Sequence, residues 1–240
     1  MFGFGYYFDP TILILIPAII FALWAQSGVN GTFNKYDKIA NRKGLTGADV
    51  AEMLLRSAGI TDVRVERVPG RLTDHYDPRA KVLRLSDSVY ASRSLAAVGV
   101  AAHETGHAMQ HSEGYMPIGI RNAILPVANI GSQLAFPLVL IGLFLSYALE
   151  VAGSLGIYIA YFGIALFVAA VLFQVVTLPV EFNASRRALQ LLGDQYILTE
   201  DELTPARKVL RAAAMTYVAA LAVSLANLLR LIMIVSRRRD

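Results

Sequence analysis

Apolar residues are bunched rather than spread along this chain. Thr11–Ala25 is one nearly unbroken run, Ile124–Leu149 a second, Leu155–Val180 a third and Ala212–Val235 a fourth. The last three are long enough to cross a hydrocarbon core, which takes roughly 20 residues of helix. The first is shorter, but Tyr6, Tyr7, Phe8 and Trp24 suit its two interfaces, and Pro17 is a kink that membrane helices tolerate. Its flank lacks the basic region and small-residue cleavage site of a secretory leader, so it is read as a retained helix.

The stretch between the first and second runs changes period. Thr46-Gly47-Ala48-Asp49 resembles a capping box, and Val50, Met53, Leu54 and Ala58 recur on one helix face that ends at Gly59. Val63–Val68 alternates as a strand, Pro69-Gly70 turns, and Leu72–Tyr76 and Lys81–Leu85 read as two more strands. A helix follows from about Ser94 to His111 and closes near Gly114. This predicts a small α+β unit with a short antiparallel sheet ahead of that helix. No internal repeat or low-complexity tract interrupts the pattern.

Composition agrees: 55% of residues are hydrophobic and 17% charged, too apolar for an ordinary soluble domain of 240 residues. The absence of cysteine excludes disulfides and thiolate metal ligands. The net charge of +4 is not read as nucleic-acid binding, because Lys and Arg gather in the segments between apolar runs. Under the positive-inside rule the α+β segment and the link Glu181–Arg211 are cytoplasmic, and the N-terminus, which lacks Lys and Arg, faces out. Four complete spans would carry Arg237, Arg238 and Arg239 outside. Either the two larger loops dominate or the last helix stops short. Arg230 within the last run indicates that this helix partly faces protein or interface.

The candidate chemistry is His103-Glu104-Thr105-Gly106-His107. Two histidines four apart share a helix face and can reach one Zn2+ ion, while the intervening glutamate can take a proton from water that zinc activates. With four histidines in the chain, an incidental pentad is a weak rival. A hydrolytic zinc site takes three protein ligands. His111 sits about 12 Å along the helix axis from His103 and is set aside as a polar helix-end residue. The metzincin positions hold Gln110 and Glu113, so that pattern fails.

Glu181 is the better third ligand: a carboxylate at the edge of a span is costly unless paired or metal-bound. A hairpin of two spans returns residue 181 to the face that residue 111 left. Pairing of Glu181 with Arg186 or Arg187 is the bland alternative. In Asp74-His75-Tyr76-Asp77, His75 or Tyr76 is a candidate donor to a developing oxyanion, against a solvated hairpin end. An edge strand here could hold an extended peptide.

Four stretches resemble the YugP-type neutral zinc metallopeptidases of bacterial membranes: Leu72–Pro78, Gly99–Ala108, Leu178–Ser185 and Ala212–Tyr217. More distantly the chain resembles the HtpX and CAAX-protease metallopeptidases, which also place a glutamate ligand after the pentad and two hydrophobic segments. Their glutamate is commonly followed four residues on by an aspartate. Here that position is Ser185, which puts a carboxylate buttress of the histidines in doubt.

The fold class expected is therefore an α-rich integral membrane protein with a small α+β zincin-like unit of gluzincin type. Its parts would be an N-terminal transmembrane helix (1–27), a cytoplasmic unit with the pentad (28–121), a transmembrane hairpin (122–180) and a segment holding the third ligand and a last hydrophobic helix (181–240). The expected activity is that of a multi-pass, cell-membrane zinc endopeptidase with His103, His107 and Glu181 on the metal, Glu104 as general base and His75 as a candidate oxyanion donor. A membrane-associated polypeptide is the expected substrate and the lipid bilayer its surroundings. The alternatives are a site-2-type intramembrane protease, for which the apolar Leu95–Ala102 is too short a span, and a zinc-stabilised scaffold or transporter. Substrate identity and oligomeric state are not encoded in these patterns.

Overall fold

The computed structural model describes residues 10–148 and 153–236. Tyr6, Tyr7, Phe8, Leu149 and Arg237–Arg239, all used above, lie outside the described residues.

Among the described residues six helices and three strands follow in the order α1 (Leu15–Tyr36, entered by a 3-10 turn at Pro10–Ile14), α2 (Gly47–Ser57), β1 (Arg64–Val68), β2 (His75–Asp77), β3 (Val82–Ser86), α3 (Leu95–Ser112), α4 (Met116–Ala148), α5 (Gly153–Asp194) and α6 (Glu200–Ser236). Among the described residues four helices are long and apolar enough to cross a membrane: Pro10–Tyr36, Met116–Ala148, Ser154–Asp194 and Glu200–Ser236. They leave large apolar side chains such as Leu23, Phe144, Phe162 and Leu229 uncovered. In water such a surface would be an aggregation liability, and in lipid it carries no cost. The chain is a helix-rich membrane protein with a small three-stranded sheet.

It divides into two compact units. One comprises residues up to Leu23, Asn122–Val175 and Ala219 onward. Within it α4 and α5 pack through Gly131, Gly142, Gly156 and Gly163, and Val139, Leu143, Ala160, Leu231 and Val235 form a buried cluster. Arg230 is tied down inside this unit: its guanidinium donates to the Thr11 hydroxyl at 3.3 Å and lies 6.0 Å from the Phe136 ring.

The other unit comprises Trp24–Arg121 and Val176–Val218. The Thr46–Asp49 capping box forms, with each residue's side chain bonded to the other's backbone N–H, and it starts α2. The Ser94 hydroxyl accepts from the Ala97 N–H to start α3 and donates to Asp37 at 2.8 Å. Helix α3 is the centre of the unit. Its Ala96, Ala97 and Ala101 pack with Leu83 and Leu85 of the sheet and Ala51 and Leu55 of α2. Its Leu95, Val98 and Ala102 pack with Ala188 and Leu192 of α5 and Ala206 and Leu210 of α6. A helix covered on all sides reads as apolar all round. The run Leu95–Ala102 is thus a buried core segment.

The sheet is mixed, not antiparallel as the hairpin-like spacing predicts. Its order is β1-β3-β2, with β1 parallel and β2 antiparallel to the central β3. Pro69-Gly70 does not fold β2 back onto β1. The chain instead crosses the end of β3, with Gly70 at φ 111° and Leu72 at φ 55°. Polar bonds hold the crossing: the Asp87 N–H donates to the Gly70 carbonyl, and the Asp74 carboxylate accepts from the Ser86 N–H at 2.7 Å and the Ser86 hydroxyl at 2.9 Å. These polar side chains, which hydropathy reads as loop, set the strand order.

Candidate metal centre

Helix α3 presents His103 and His107 on one face, with ring centroids 4.7 Å apart. Helix α5 brings Glu181 against them. His103 Nε2 lies 3.3 Å and His107 Nε2 3.5 Å from Glu181 Oε2. The three donor atoms fall within 4.8 Å of one another. Zinc bonds of about 2.0–2.1 Å in a tetrahedron set ligand atoms roughly 3.3–3.4 Å apart, so this donor set fits that ion without rearrangement of the backbone.

Glycine makes the approach possible. A Cβ at Gly106 would stand 2.7 Å from the Ala184 carbonyl oxygen. Only a residue without one lets α3 and α5 come this close, and Glu181 lies one helical turn from that contact.

Each ligand is oriented from behind. Gln110, fully buried, accepts at Oε1 from His107 Nδ1 at 3.0 Å when that nitrogen carries the proton. Its amide nitrogen donates to the Val180 carbonyl and to Asn183 Oδ1. Ser185 Oγ is 3.1 Å from His103 Nδ1, so a hydroxyl buttresses this ring. This directs both Nε2 atoms to the shared point. Glu181 is buried and does not pair with Arg186 or Arg187. Its Oε1 lies 3.8 Å from Arg121 Nη1, and Tyr217 lines the same pocket as Glu181. Arg187 bonds Asn183 and Glu113 instead.

A pocket of about 250 Å³ opens on this cluster, and Asp74, His103, Glu104, Glu181, Ser185 and Tyr217 are among its walls. Burial opposes a charge on His107, but the Glu181 and Glu104 carboxylates and the Gln110 bond outweigh it, so its pKa stands above the ordinary value. The cluster therefore favours a positive charge between the histidines and the carboxylate. Burial, reinforced by the Glu104 charge, raises the pKa of Asp74 against the two Ser86 bonds that lower it.

His75 is not brought to this cluster. Alternation along the extended chain turns Asp74 inward and His75 to the opposite face, where it is exposed, its Nδ1 2.9 Å from the Thr73 carbonyl and its Nε2 3.4 Å from Arg84. Tyr76 meets His111, 3.4 Å from hydroxyl to Nδ1, away from the metal cluster. Gln110, Arg121 and Tyr217 were not singled out from the sequence. Two of them carry a signal there: Gln110 is a polar residue one turn beyond His107 on the same face, and Tyr217 ends the stretch Ala212–Tyr217 that carries the family resemblance.

Residues 11–236 match the family described as "Putative neutral zinc metallopeptidase". The chain is 47% identical over 229 residues, 95% of its length and 98% of the relative's, to the "Putative membrane protease YugP" of Bacillus subtilis (strain 168). No solved structure matches.

Proposed function

This chain belongs to the "Putative neutral zinc metallopeptidase" family, and from that premise we propose that it is a zinc metalloendopeptidase working at the cytoplasmic face of the membrane. The observation that carries the reading is the convergence of His103, His107 and Glu181 on one point beside Glu104, in a pocket large enough for a peptide group.

His103, His107 and Glu181 would hold the ion. Bound there, zinc supplies Lewis acidity to a water and to the scissile carbonyl. The work of the chain itself is then proton management and alignment. Glu104 takes the proton from the attacking water and returns it to the departing amide nitrogen. Ser185 and Gln110 keep both imidazoles in the tautomer that presents Nε2. Tyr217, on the pocket wall, is positioned to donate to the carbonyl oxygen as negative charge develops on it. This role passes to Tyr217 from His75, which faces away. The basic segments Arg186–Arg187 and Arg207–Arg211, beside long apolar helices, support the cytoplasmic orientation. The depth of Leu95–Ala102 in protein argues against an intramembrane protease. An open three-ligand set argues against a closed structural site.

The test is zinc content and cleavage of an unfolded protein by purified wild type, Glu104→Gln, Glu181→Ala and Tyr217→Phe. Glu104→Gln should retain zinc and lose cleavage, Glu181→Ala should lose both, and Tyr217→Phe should retain zinc with kcat down on the order of 10²-fold. Normal cleavage by Glu104→Gln would overturn the mechanism, and unchanged zinc in Glu181→Ala would remove that residue from the site.

A further inference from the structure

A second cavity, of about 570 Å³, lies between Trp24–Tyr36 of α1 and Lys208–Met215 of α6, within one of the two compact units. It shares no residue with the walls of the metal pocket. Its composition is segregated. Gly28, Gly31 and Ala212 give it a floor of small residues, and a Cβ added at Gly28 or Gly31 would meet nothing within 4 Å. Lys35, Lys208 and Arg211 stand along it, all exposed, and among the described residues no Asp or Glu lines it. Among the described residues Lys208 and Arg211 make no ion pair, and Lys35 only lies 5.5 Å from the Tyr36 ring.

Both walls are helices of membrane-crossing length, and the cations sit where apolar sequence gives out. Arg211 immediately precedes the run Ala212–Val235, and Lys35 follows the run that ends at Ala25. A groove with an apolar floor and a cationic rim at that boundary matches one chemistry: a phosphate monoanion attached to acyl chains.

We propose that this groove binds the headgroup of an anionic phospholipid, with the phosphate between Lys35 and the Lys208–Arg211 pair and the glycerol and upper acyl chain along Gly28, Gly31 and Ala212. A phosphatidylcholine headgroup carries its own quaternary amine and is disfavoured beside three cations. Each basic side chain at a membrane surface enriches an anionic headgroup roughly five-fold. The small floor turns that diffuse enrichment into a seat.

The chain supplies its own probe. Its one tryptophan, Trp24, lines this groove, so emission from the full-length protein reports what lies in it. Reconstitute the protein in phosphatidylcholine vesicles doped with phosphatidylglycerol, and brominate either the phosphatidylglycerol or an equal mole fraction of the phosphatidylcholine. Brominated phosphatidylglycerol should quench Trp24 several-fold more strongly. Lys208→Gln/Arg211→Gln should abolish the preference, whereas Lys208→Arg/Arg211→Lys should keep it. Gly31→Leu leaves every charge in place and fills the floor without a clash, and it too should abolish the preference. Equal quenching by the two lipids overturns the proposal. So does a preference that survives Gly31→Leu, which would mean a diffuse basic surface. Relief of the quenching by millimolar inorganic phosphate would mean a plain anion site and would overturn the assignment to lipid.

Discussion

Helix α5 is one 42-residue element with two very different halves. In its first half it meets α4 by backbone contact: a Cβ at Gly131 would stand 2.2 Å from the Leu166 carbonyl oxygen, and one at Gly142 2.4 Å from the Gly156 oxygen. In its second half it meets α3 by the same device, Gly106 against Ala184 at 2.7 Å. What surrounds the contact differs. Around the first lie Val139, Leu143 and Ala160, so close approach yields dispersion alone, as at interfaces of small residues between membrane helices. Around the second lie Glu181, Asn183 and Ser185, which meet His103, His107 and Gln110. Close backbone approach is therefore not in itself a functional feature. It becomes one where the residues a turn away carry donor atoms whose separation must be right to a few tenths of an ångström.

The largest expected effect comes from breaking both contacts in the same way. Gly106→Leu and Gly142→Leu each force a side chain against backbone that must move, and overpacking of this kind costs roughly 1–3 kcal/mol. The cost to stability should be similar. The cost to the metal should not. Gly106→Leu displaces Glu181 from the histidines and should lower zinc affinity by more than about 100-fold, a loss beyond that of a supporting residue. Gly142→Leu should lower the thermal midpoint with zinc content unchanged. Equal zinc loss in the two variants would mean that the halves of α5 are not separable.

A smaller effect is expected behind the ligands. Gln110→Leu keeps the volume but leaves His107 Nδ1, the Val180 carbonyl and Asn183 each without one partner. Zinc affinity should fall about 10–100-fold. Ser185→Ala removes one contact to His103 and should fall at the low end of that range. Competition with a chelator measures both. If Ser185→Ala proves the more damaging, the hydroxyl carries more of the orienting role than the three-bond glutamine.

How much of this was legible follows the same division. The apolar half is read from hydropathy: the described part of the second run and the whole third run fall within α4 and α5, and Arg230 inside the fourth is anchored by Thr11 and Phe136. Much of the polar half is legible too, because its periodicity and pentad are local. The helix expected from Ser94 to His111 is α3, Leu95–Ser112, and a two-span hairpin returns Glu181 to the histidines. What hydropathy misses is set by polar bonds between distant residues. The Asp74–Ser86 bonds, 12 positions apart, fix the strand order and turn Asp74 rather than His75 toward the metal pocket. Tyr217 reaches the same pocket from α6, and the stretch Ala212–Tyr217 announces it only through the family resemblance, with no local chemistry to give it a role. Ser185, whose place in the sequence reads as lacking a carboxylate buttress, meets His103 with a hydroxyl.

The smallest effect tests whether the polar unit has an internal titration that an apolar helix contact has no group to match. Asp74 is buried and faces the Glu104 charge, so its folded-state pKa is raised above the ordinary 3.8, against the two Ser86 bonds. A carboxyl raised on folding holds its proton longer in the folded state. Its contribution to stability is complete below about pH 3.8 and is lost as pH rises through the folded value. Asp74→Asn cannot titrate. The thermal midpoint of wild type minus that of Asp74→Asn should therefore decline as pH rises above about 4 and then level off. Both proteins carry the same His103, His107 and Glu181, so changes in metal occupancy with pH largely cancel in the difference. A flat difference would place Asp74 in an environment that does not penalise its charge, and a rising one would mean that the Ser86 bonds outweigh burial. The shift should be modest, because those bonds oppose the burial that causes it.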